Sequence, residues 1–145
     1  HVSQKLAEVM KILDFKIVVL DDRREFANKE RFKTADKIII LSAFDDILKH
    51  IEINDQSYIV IITRGHAYDK DILAQALETN AKYIGMIGSM AKRSFIYNQL
   101  KDEGYTQDEL DKVFCPIGLE ISAQTPEEIA ISIAAELIKI RRSSK

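Results

Sequence analysis

The stretch from Tyr83 to Arg93 contains the residues best suited to hold an anion. It reads Tyr-Ile-Gly-Met-Ile-Gly-Ser-Met-Ala-Lys-Arg, apolar at first and amphipathic from Ser89 onward. This pattern is typical of a buried strand that turns into a helix, with Gly88 permitting a tight turn and Ser89 capping the helix. Because a helix begins with free N–H groups and a positive dipole end, this turn, with Lys92 and Arg93, is a candidate phosphate cradle. The alternative is a capped turn that binds nothing.

Asp21 is a second candidate for ligand binding. It follows an apolar, β-branched run at residues 16–20 that is typical of a buried strand. In a dinucleotide-binding fold, an acid about 20 residues after the glycine fingerprint accepts the ribose hydroxyls. That fingerprint would have to lie ahead of His1. Asp21 is therefore either a ribose acceptor or a residue that ends its strand in a turn.

His66 is the histidine best placed for chemistry. It follows Gly65 in a loop after a buried strand, with Asp69 three positions further on. An imidazole there suits proton transfer or donation to a ligand, because its ordinary pKa lies near neutrality. The alternative is a polar surface residue. His1 and His50 have no partner at metal-ligand spacing, so the sequence predicts no metal site.

Cys115, the single cysteine, precedes Pro116. Lys112 is the one cationic residue near it in sequence, so we expect a small buried side chain rather than a reactive thiolate. A lone cysteine forms no internal disulfide, which fits a reducing cytoplasm.

Hydrophobic periodicity predicts strands that alternate with helices. Apolar runs indicate strands at 16–20, 37–41, 58–62 and 82–87, and helical spacing indicates helices at 2–13, 44–51, 69–79, 89–103 and 125–140, with a loop at 23–33. Parallel strands need crossover helices and are buried on both faces, so this pattern predicts a doubly wound, mainly parallel α/β sheet. The polar residues after the strands should then converge on one crevice at the carboxyl edge of the sheet.

Composition is that of an ordinary globular protein and disfavours two classes of function. With 145 residues, 46% of them hydrophobic, the chain suits one domain with a proper core. No stretch reaches the roughly 18 apolar residues of a membrane span. The net charge of −2 and the pI near 6.0 disfavour nucleic acid as a partner.

Four segments are more specific together than any one of them alone. They are Val-Leu-Asp-Asp-Arg-Arg-Glu-Phe-Ala from Val19, Thr-Arg-Gly-His from Thr63, Tyr-Ile-Gly-Met-Ile-Gly-Ser from Tyr83, and Pro-Ile-Gly-Leu from Pro116 leading to Thr-Pro-Glu-Glu from Thr125. In this combination they resemble the XdhC/CoxI family, specifically its C-terminal Rossmann-like domain. The resemblance covers nearly the whole chain.

The resemblance implies a cytoplasmic accessory protein that binds the molybdenum cofactor, molybdopterin. Such a protein helps to load the cofactor into xanthine dehydrogenase or a related molybdenum hydroxylase, as an insertion factor with no catalytic residues rather than as an enzyme. The partners implied are the hydroxylase apoenzyme, a cofactor-sulfurating enzyme and a second copy of the chain in a homodimer.

Carried over by position, the family motifs mark a cofactor-binding set. In that set the phosphate of the pterin lies against the turn before the fourth predicted helix, two arginines are the candidate cationic partners, and a histidine shapes the site. The set comprises Asp21, Arg23, Thr63, Gly65, His66, Gly85, Gly88, Ser89 and Arg93.

The chain departs from the family pattern in three ways. Arg64 stands where the family usually has His. His1-Val2 resembles the end of the Gly-x-Gly-His-Val turn of the family, which implies that the first strand and its glycine-rich turn are missing. The N-terminal domain with its Gly-Gly-Gly-Cys motif is also absent, so we expect this single domain to be a fragment of a longer chain.

Two other functions remain open on the residues alone. An oxidoreductase domain could bind NAD(P) through Asp21, which would require a Gly-x-Gly-x-x-Gly turn upstream. A purely structural domain could hold a dimer without binding any ligand.

Overall fold

The chain combines helices with short parallel strands, as the sequence predicts. The computed structural model describes residues 1–63 and 66–143, and at residues 66 and 67 it describes the backbone alone. In chain order the elements are α1 (Val2–Ile12), β1 (Val18–Asp21), β2 (Lys37–Ile40), a 3₁₀ helix (Phe44–Lys49), β3 (Tyr58–Ile61), α2 (His66–Leu77), β4 (Tyr83–Met86), α3 (Met90–Asp102), α4 (Gln107–Leu110) and α5 (Pro126–Ser143). They form two compact units, one from residues 1–44 with 118 onward and one from residues 45–117.

The first unit contains β1 and β2, which pair in parallel with Val18 opposite Lys37 and Asp21 opposite Ile40. Parallel strands cannot be joined by a tight hairpin, and a series of turns at residues 22–36 makes the crossover. The predicted loop at 23–33 is thereby confirmed. Helices α1 and α5 of the same unit pack against each other.

The second unit contains β3 and β4, which also pair in parallel, with Ile61 opposite Met86. Phe114 extends this ladder on the other side of β4 through a bridge to Gly85. There the N–H of Phe114 donates to the carbonyl of Ile84, and the N–H of Met86 donates to the carbonyl of Phe114, both at 2.9 Å. All four residues of β4 are buried, as expected for a strand with neighbours on both sides.

Apolar side chains from α2, α3 and α4 cover β4 within the second unit. The cluster includes Leu73 and Ala76 of α2, Ile96 and Leu100 of α3, and Leu110 of α4, with Cys115 packed against its edge. Burial of these side chains is what holds the carboxyl ends of β3 and β4 beside the first turns of α2 and α3.

The predicted helix at 44–51 is wrong. Residues 44–49 form a short 3₁₀ helix that is interrupted at Asp46, where φ is −149° and ψ is 53°. The N–H of Ile47 donates to the side-chain oxygen of Gln75 at 2.7 Å. A contact with α2 therefore takes the place of the backbone bond that would have continued the helix.

The predicted helix start at Thr125 is confirmed. The Thr125 hydroxyl accepts the N–H of Glu128 at 3.1 Å, and the Glu128 carboxylate accepts the N–H groups of Gln124 and Thr125 at 2.8 and 3.1 Å. These two backbone donors lower the pKa of Glu128 because they stabilise its ionised form. Thr106 forms a similar capping box with Glu109 at the start of α4, which the sequence analysis did not identify.

Helix α5 has 18 residues and is a core helix, as its spacing predicts. Ile133 is fully buried and Leu137 nearly so. Among the residues that the structure describes, neither α5 nor any other helix has the length and apolar character needed to cross a membrane.

The Pro-Ile-Gly-Leu segment is fastened to α5 by a group of contacts that we call the α5 clasp, formed by Gly118, Leu119, Ser132 and Glu136. The N–H of Gly118 donates to the carboxylate of Glu136 at 3.1 Å, and the N–H of Leu119 donates to the carbonyl of Ser132 at 3.1 Å. Gly118 has a φ of +97°, and a Cβ there would lie 2.5 Å from the Ser132 hydroxyl oxygen. The clasp therefore requires glycine for both conformation and space.

Candidate anion-binding site

The carboxyl ends of β3 and β4 lie at the same edge of the second unit, because the two strands are parallel neighbours. Thr63 follows β3, and the Gly88-Ser89 turn follows β4. The Thr63 hydroxyl hydrogen-bonds to the carboxylate of Asp69, in the first turn of α2. The structure thus brings Thr63, Gly88 and Ser89 to one edge of the second unit.

Lys92 connects these loops. Its ammonium group forms an ion pair with Asp69, whose side chain is fully buried, and donates to the carbonyl of Ile87 at 2.9 Å. The Lys92 side chain itself is only 13% exposed. Because its charge is neutralised and its donors are engaged, Lys92 serves the loops themselves rather than an incoming anion.

Gly88 is the residue that allows Lys92 to fold back. It has a φ of +145°, and a Cβ there would lie 2.5 Å from Cδ of Lys92. The absence of a side chain leaves the stem of Lys92 lying directly over the turn, from which its ammonium reaches Asp69. Glycine is required here by backbone conformation and by close packing together.

Ser89 caps α3 as predicted. Its hydroxyl accepts the N–H of Lys92 at 3.2 Å, and its carbonyl accepts the N–H of Arg93 at 3.0 Å. The first turn of α3 contains no acidic residue. The positive end of the helix dipole is therefore not neutralised by a carboxylate of its own first turn.

Among the described residues of this edge, Arg93 is the cation that remains available to a ligand. Its guanidinium lies 5.2 Å from the ring centre of Tyr97, and one nitrogen lies 3.7 Å from the sulfur of Met90. Within residues 1–63 and 66–143 it forms no ion pair with a carboxylate. An arginine that stacks on an aromatic ring and has no carboxylate partner is well suited to bind an oxyanion.

Gly85, another member of the predicted set, lies inside β4. A Cβ at this position would lie 2.7 Å from Cδ1 of Ile117 and would also collide with the hydroxyl of Tyr83. The space beside Gly85 is filled by the protein's own side chains. Its position explains why the strand needs glycine, namely the close passage of Tyr83 and Ile117.

Two predicted residues cannot be placed at the site. Gly65 lies outside the described residues, as does its neighbour Arg64. The backbone of His66 begins α2, three residues before the predicted start, but its side chain lies outside the described part of the chain.

Asp21 and Arg23 belong to the first unit, where their side chains form an ion pair with each other. The Asp21 carboxylate accepts the N–H of Asp22 at 2.7 Å and lies 3.5 Å from the guanidinium of Arg23. The guanidinium also stacks on Phe26, 4.2 Å from the ring centre. A ligand hydroxyl or N–H that binds Asp21 would have to compete with Arg23 for the same carboxylate group.

Cys115 packs against the apolar cluster of the second unit, near enough to Arg93, Lys92 and Asp69 for their charges to act on its thiol, which the sequence spacing did not reveal. Its thiol is half-buried, and burial raises its pKa, with Arg93 and Lys92 opposing that shift and Asp69 adding to it. The thiol therefore stays protonated at neutral pH. No group of three or more His, Cys, Asp or Glu side chains in the described part of the chain is arranged to hold a metal ion.

The fold and the site define a Rossmann-like α/β domain, with parallel strand pairs and a candidate ligand site at the carboxyl ends of β3 and β4. Residues 1–137 match the model of the XdhC Rossmann domain, and the chain belongs to this family. A crystal structure of a xanthine dehydrogenase from Bacillus halodurans superposes with a TM-score of 0.85 at 34% sequence identity, over 99% of this chain and 40% of that one. These findings confirm the predicted fold class and family.

Two curated proteins are also similar in sequence. The chain is 27% identical over 144 residues to the uncharacterized protein YqeB of Escherichia coli, covering 99% of this chain and 26% of that protein. It is 28% identical over 138 residues to a probable xanthine dehydrogenase component of Bacillus subtilis, covering 94% of this chain and 39% of that protein. The chain thus spans between a quarter and two fifths of the length of these relatives.

Proposed function

We propose that this domain binds the molybdenum cofactor through its phosphate and acts as an accessory factor in the maturation of xanthine dehydrogenase or a related molybdenum hydroxylase. The observation that carries the proposal is the available guanidinium of Arg93 beside the Ser89-capped end of α3, at the carboxyl edge of a parallel strand pair. Membership of the XdhC family and the names of two of the similar proteins support the association with xanthine dehydrogenase.

The described residues fit the anionic end of such a cofactor. Arg93 offers charged donors, the turn at Gly88 and Ser89 lies at the positive end of α3, and Lys92 keeps the turn in place from within. His66, Gly65 and Thr63 are proposed to shape this site, and Asp21 and Arg23 of the first unit stay candidate cofactor-binding residues on the family resemblance. When bound, the cofactor supplies the molybdenum centre of the hydroxylase, and the domain itself supplies positioning.

The partners follow from this role. The domain would deliver its cofactor to a hydroxylase apoenzyme in the cytoplasm and receive it in contact with a cofactor-sulfurating enzyme, acting as a homodimer. No catalytic residue is assigned, because positioning and transfer of a bound cofactor need no covalent step on the protein.

The direct test is a titration of purified molybdopterin into the domain under anaerobic conditions, followed by calorimetry or by quenching of tyrosine fluorescence. We expect a dissociation constant in the micromolar range. Arg93→Gln should weaken binding about tenfold, as expected for loss of a charged hydrogen bond. Lys101→Gln, which alters an exposed cation in the last turn of the same helix, is the matched control. No binding at micromolar concentrations would contradict the proposal.

The position of Asp21 favours one alternative, an NAD(P)-binding domain. Asp21 ends β1, which is where a dinucleotide fold places its ribose acceptor. The same titration with NAD(H) and NADP(H) separates the two ligands. Tight dinucleotide binding that Asp21→Asn abolishes, together with hydride transfer, would replace the cofactor-delivery proposal.

A further inference from the structure

The side-chain donor at the tip of α3 is used by the protein itself. The Ser89 hydroxyl occupies the N–H of Lys92, and the Lys92 ammonium is divided between Asp69 and the carbonyl of Ile87. An anion at the helix tip would therefore meet backbone N–H groups but not the ammonium of Lys92. The side chains available to bind an anion lie further along the helix, at Arg93 and Tyr97.

Tyr97 provides the first of them. The residue is 5% exposed, and its hydroxyl oxygen is buried without a hydrogen bond of normal geometry among the described residues. A buried hydroxyl with no partner costs about 1–3 kcal/mol, which is why such groups are rare unless a ligand or water completes them. Burial raises the pKa of Tyr97, and the Arg93 guanidinium, through its charge and its approach to the hydroxyl oxygen, opposes that shift without reversing it. A donor from Arg93 leaves the proton of the Tyr97 hydroxyl without an acceptor.

Cys115, in the segment after α4, is a second side chain whose thiol lies near Arg93. It packs against the same apolar cluster as Tyr97, and a charge on its sulfur would raise the pKa of Tyr97. The charged groups near this pair are Arg93, Lys92 and Asp69, which forms an ion pair with Lys92, together with Asp111. The side chain of Asp111 accepts a hydrogen bond from Gln107 at 2.7 Å. Arg93 is therefore the one cation of this group with no carboxylate partner in the described part of the chain.

We propose that an oxyanion, such as the phosphate of the bound cofactor, is received between Arg93 and the Tyr97 hydroxyl, near the Cys115 thiol, rather than at the tip of α3. The inference rests on the proposed function for the identity of the natural ligand. Tyr97 and Cys115 then become ligand-contacting residues that no motif marks. Tyr97 satisfies its hydroxyl by donating to the oxyanion, and the neutral thiol approaches the anion without electrostatic repulsion.

The single cysteine makes the proposal directly measurable, because any thiol reagent reports on Cys115 alone. The rate of Cys115 alkylation by iodoacetamide is measured by mass spectrometry at fixed pH, with increasing inorganic pyrophosphate and, separately, with molybdopterin. We expect either anion to slow alkylation of the wild-type chain several-fold. Chloride at matched ionic strength should have no such effect, since surface screening protects no particular thiol.

Tyr97→Phe is the decisive variant. It removes the unpaired hydroxyl without leaving a cavity, so the chain should be at least as stable as the wild type in urea. The anion concentration needed for half-protection should rise about tenfold, the size of one hydrogen bond to a charged group. Tyr105→Phe is the matched control, because the hydroxyl of Tyr105 interacts with Ala74 and Glu78 instead.

The outcomes separate this inference from the proposed function. Equal half-protection in the wild type and in Tyr97→Phe, or no protection by either anion, would overturn the placement of the oxyanion. Molybdopterin that binds while leaving Cys115 fully reactive refutes the placement but leaves the proposed function intact. Protection by pyrophosphate with no binding of molybdopterin supports the placement of the oxyanion and contradicts the proposed function.

Discussion

The ammonium group of Lys92 contacts the fully buried carboxylate of Asp69. The two residues lie on α3 and α2, and the same carboxylate also accepts the hydroxyl of Thr63 after β3. One buried ion pair therefore ties together the loops that follow both strands of the second unit. An ion pair of this kind stabilises only as a pair, because either charge left alone in the interior is strongly unfavourable.

Lys92→Met should lower the free energy of unfolding by about 3 kcal/mol, because it leaves the Asp69 carboxylate buried without its counter-charge. The measurement is urea denaturation followed by circular dichroism. Lys101→Met, which removes an exposed cation from the same helix, should change the stability by less than about 0.5 kcal/mol. The double variant Asp69→Asn with Lys92→Met should cost less than the sum of the two single variants. Additive costs would show that the two groups do not interact.

Gly88→Ala should destabilise the chain more than Gly104→Ala. Both glycines have a positive φ, +145° and +105°, so both substitutions strain the backbone. At Gly104 no atom lies within 4 Å of the new Cβ, whereas at Gly88 the new Cβ lies 2.5 Å from the stem of Lys92. We expect a difference of about 1 kcal/mol in the free energy of unfolding, from the displacement of Lys92. Equal costs at the two positions would mean that the Lys92 stem moves aside freely.

Gly118→Ala should open the α5 clasp, because the new methyl group would lie 2.5 Å from the Ser132 hydroxyl oxygen and the φ of +97° disfavours alanine. A loss of about 2–3 kcal/mol is expected, measured by thermal unfolding. Adding Ser132→Ala removes the closest atom and should restore part of the loss, while the backbone strain remains. No recovery in the double variant would locate the whole cost in the backbone.

Stability should fall in acid partly through Glu128. Its pKa is lowered in the folded chain by the N–H groups of Gln124 and Thr125, so the folded state binds the proton less readily than the unfolded state. The contribution of Glu128 is therefore present above its unfolded pKa and is lost as the pH falls through the lower, folded value. Glu128→Gln should flatten the decline of the unfolding free energy between about pH 6 and pH 3. Glu127→Gln is the control, because it leaves both hydrogen bonds of Glu128 in place. Its unfolding free energy should fall with acid as steeply as that of the wild type.

Local signals predicted the helix ends well. Ser89 and Thr125 act within three or four residues of themselves, so their roles can be read from the adjacent sequence. The helix predicted at 44–51 failed for the opposite reason. The conformation of residues 44–49 depends on Gln75, which accepts a hydrogen bond from the N–H of Ile47 although it lies 28 residues away.

The different roles of Lys92 and Arg93, one in an internal ion pair and the other available to a ligand, could not be predicted from sequence. The two cations are adjacent, and both were candidates for the same anion cradle. The structure separates them because Lys92 reaches the buried Asp69 on another helix, while Arg93 lies over Tyr97. The approach of Cys115 to Arg93 likewise depends on the bridge between Phe114 and Gly85, a tertiary pairing that no local motif specifies.

The α5 clasp gives the Pro-Ile-Gly-Leu motif a structural reason to persist during evolution. The Gly of Pro-Ile-Gly-Leu and the Ser and Glu of the following helix contact one another, so selection for folding alone suffices to retain them together. A descendant that had lost its ligand would keep this signature, whereas changes at Arg93 or Tyr97 would leave the signature untouched. Searches anchored on the clasp therefore collect chains that share a fold, and the residues along α3 are the ones to compare when sorting those chains by ligand.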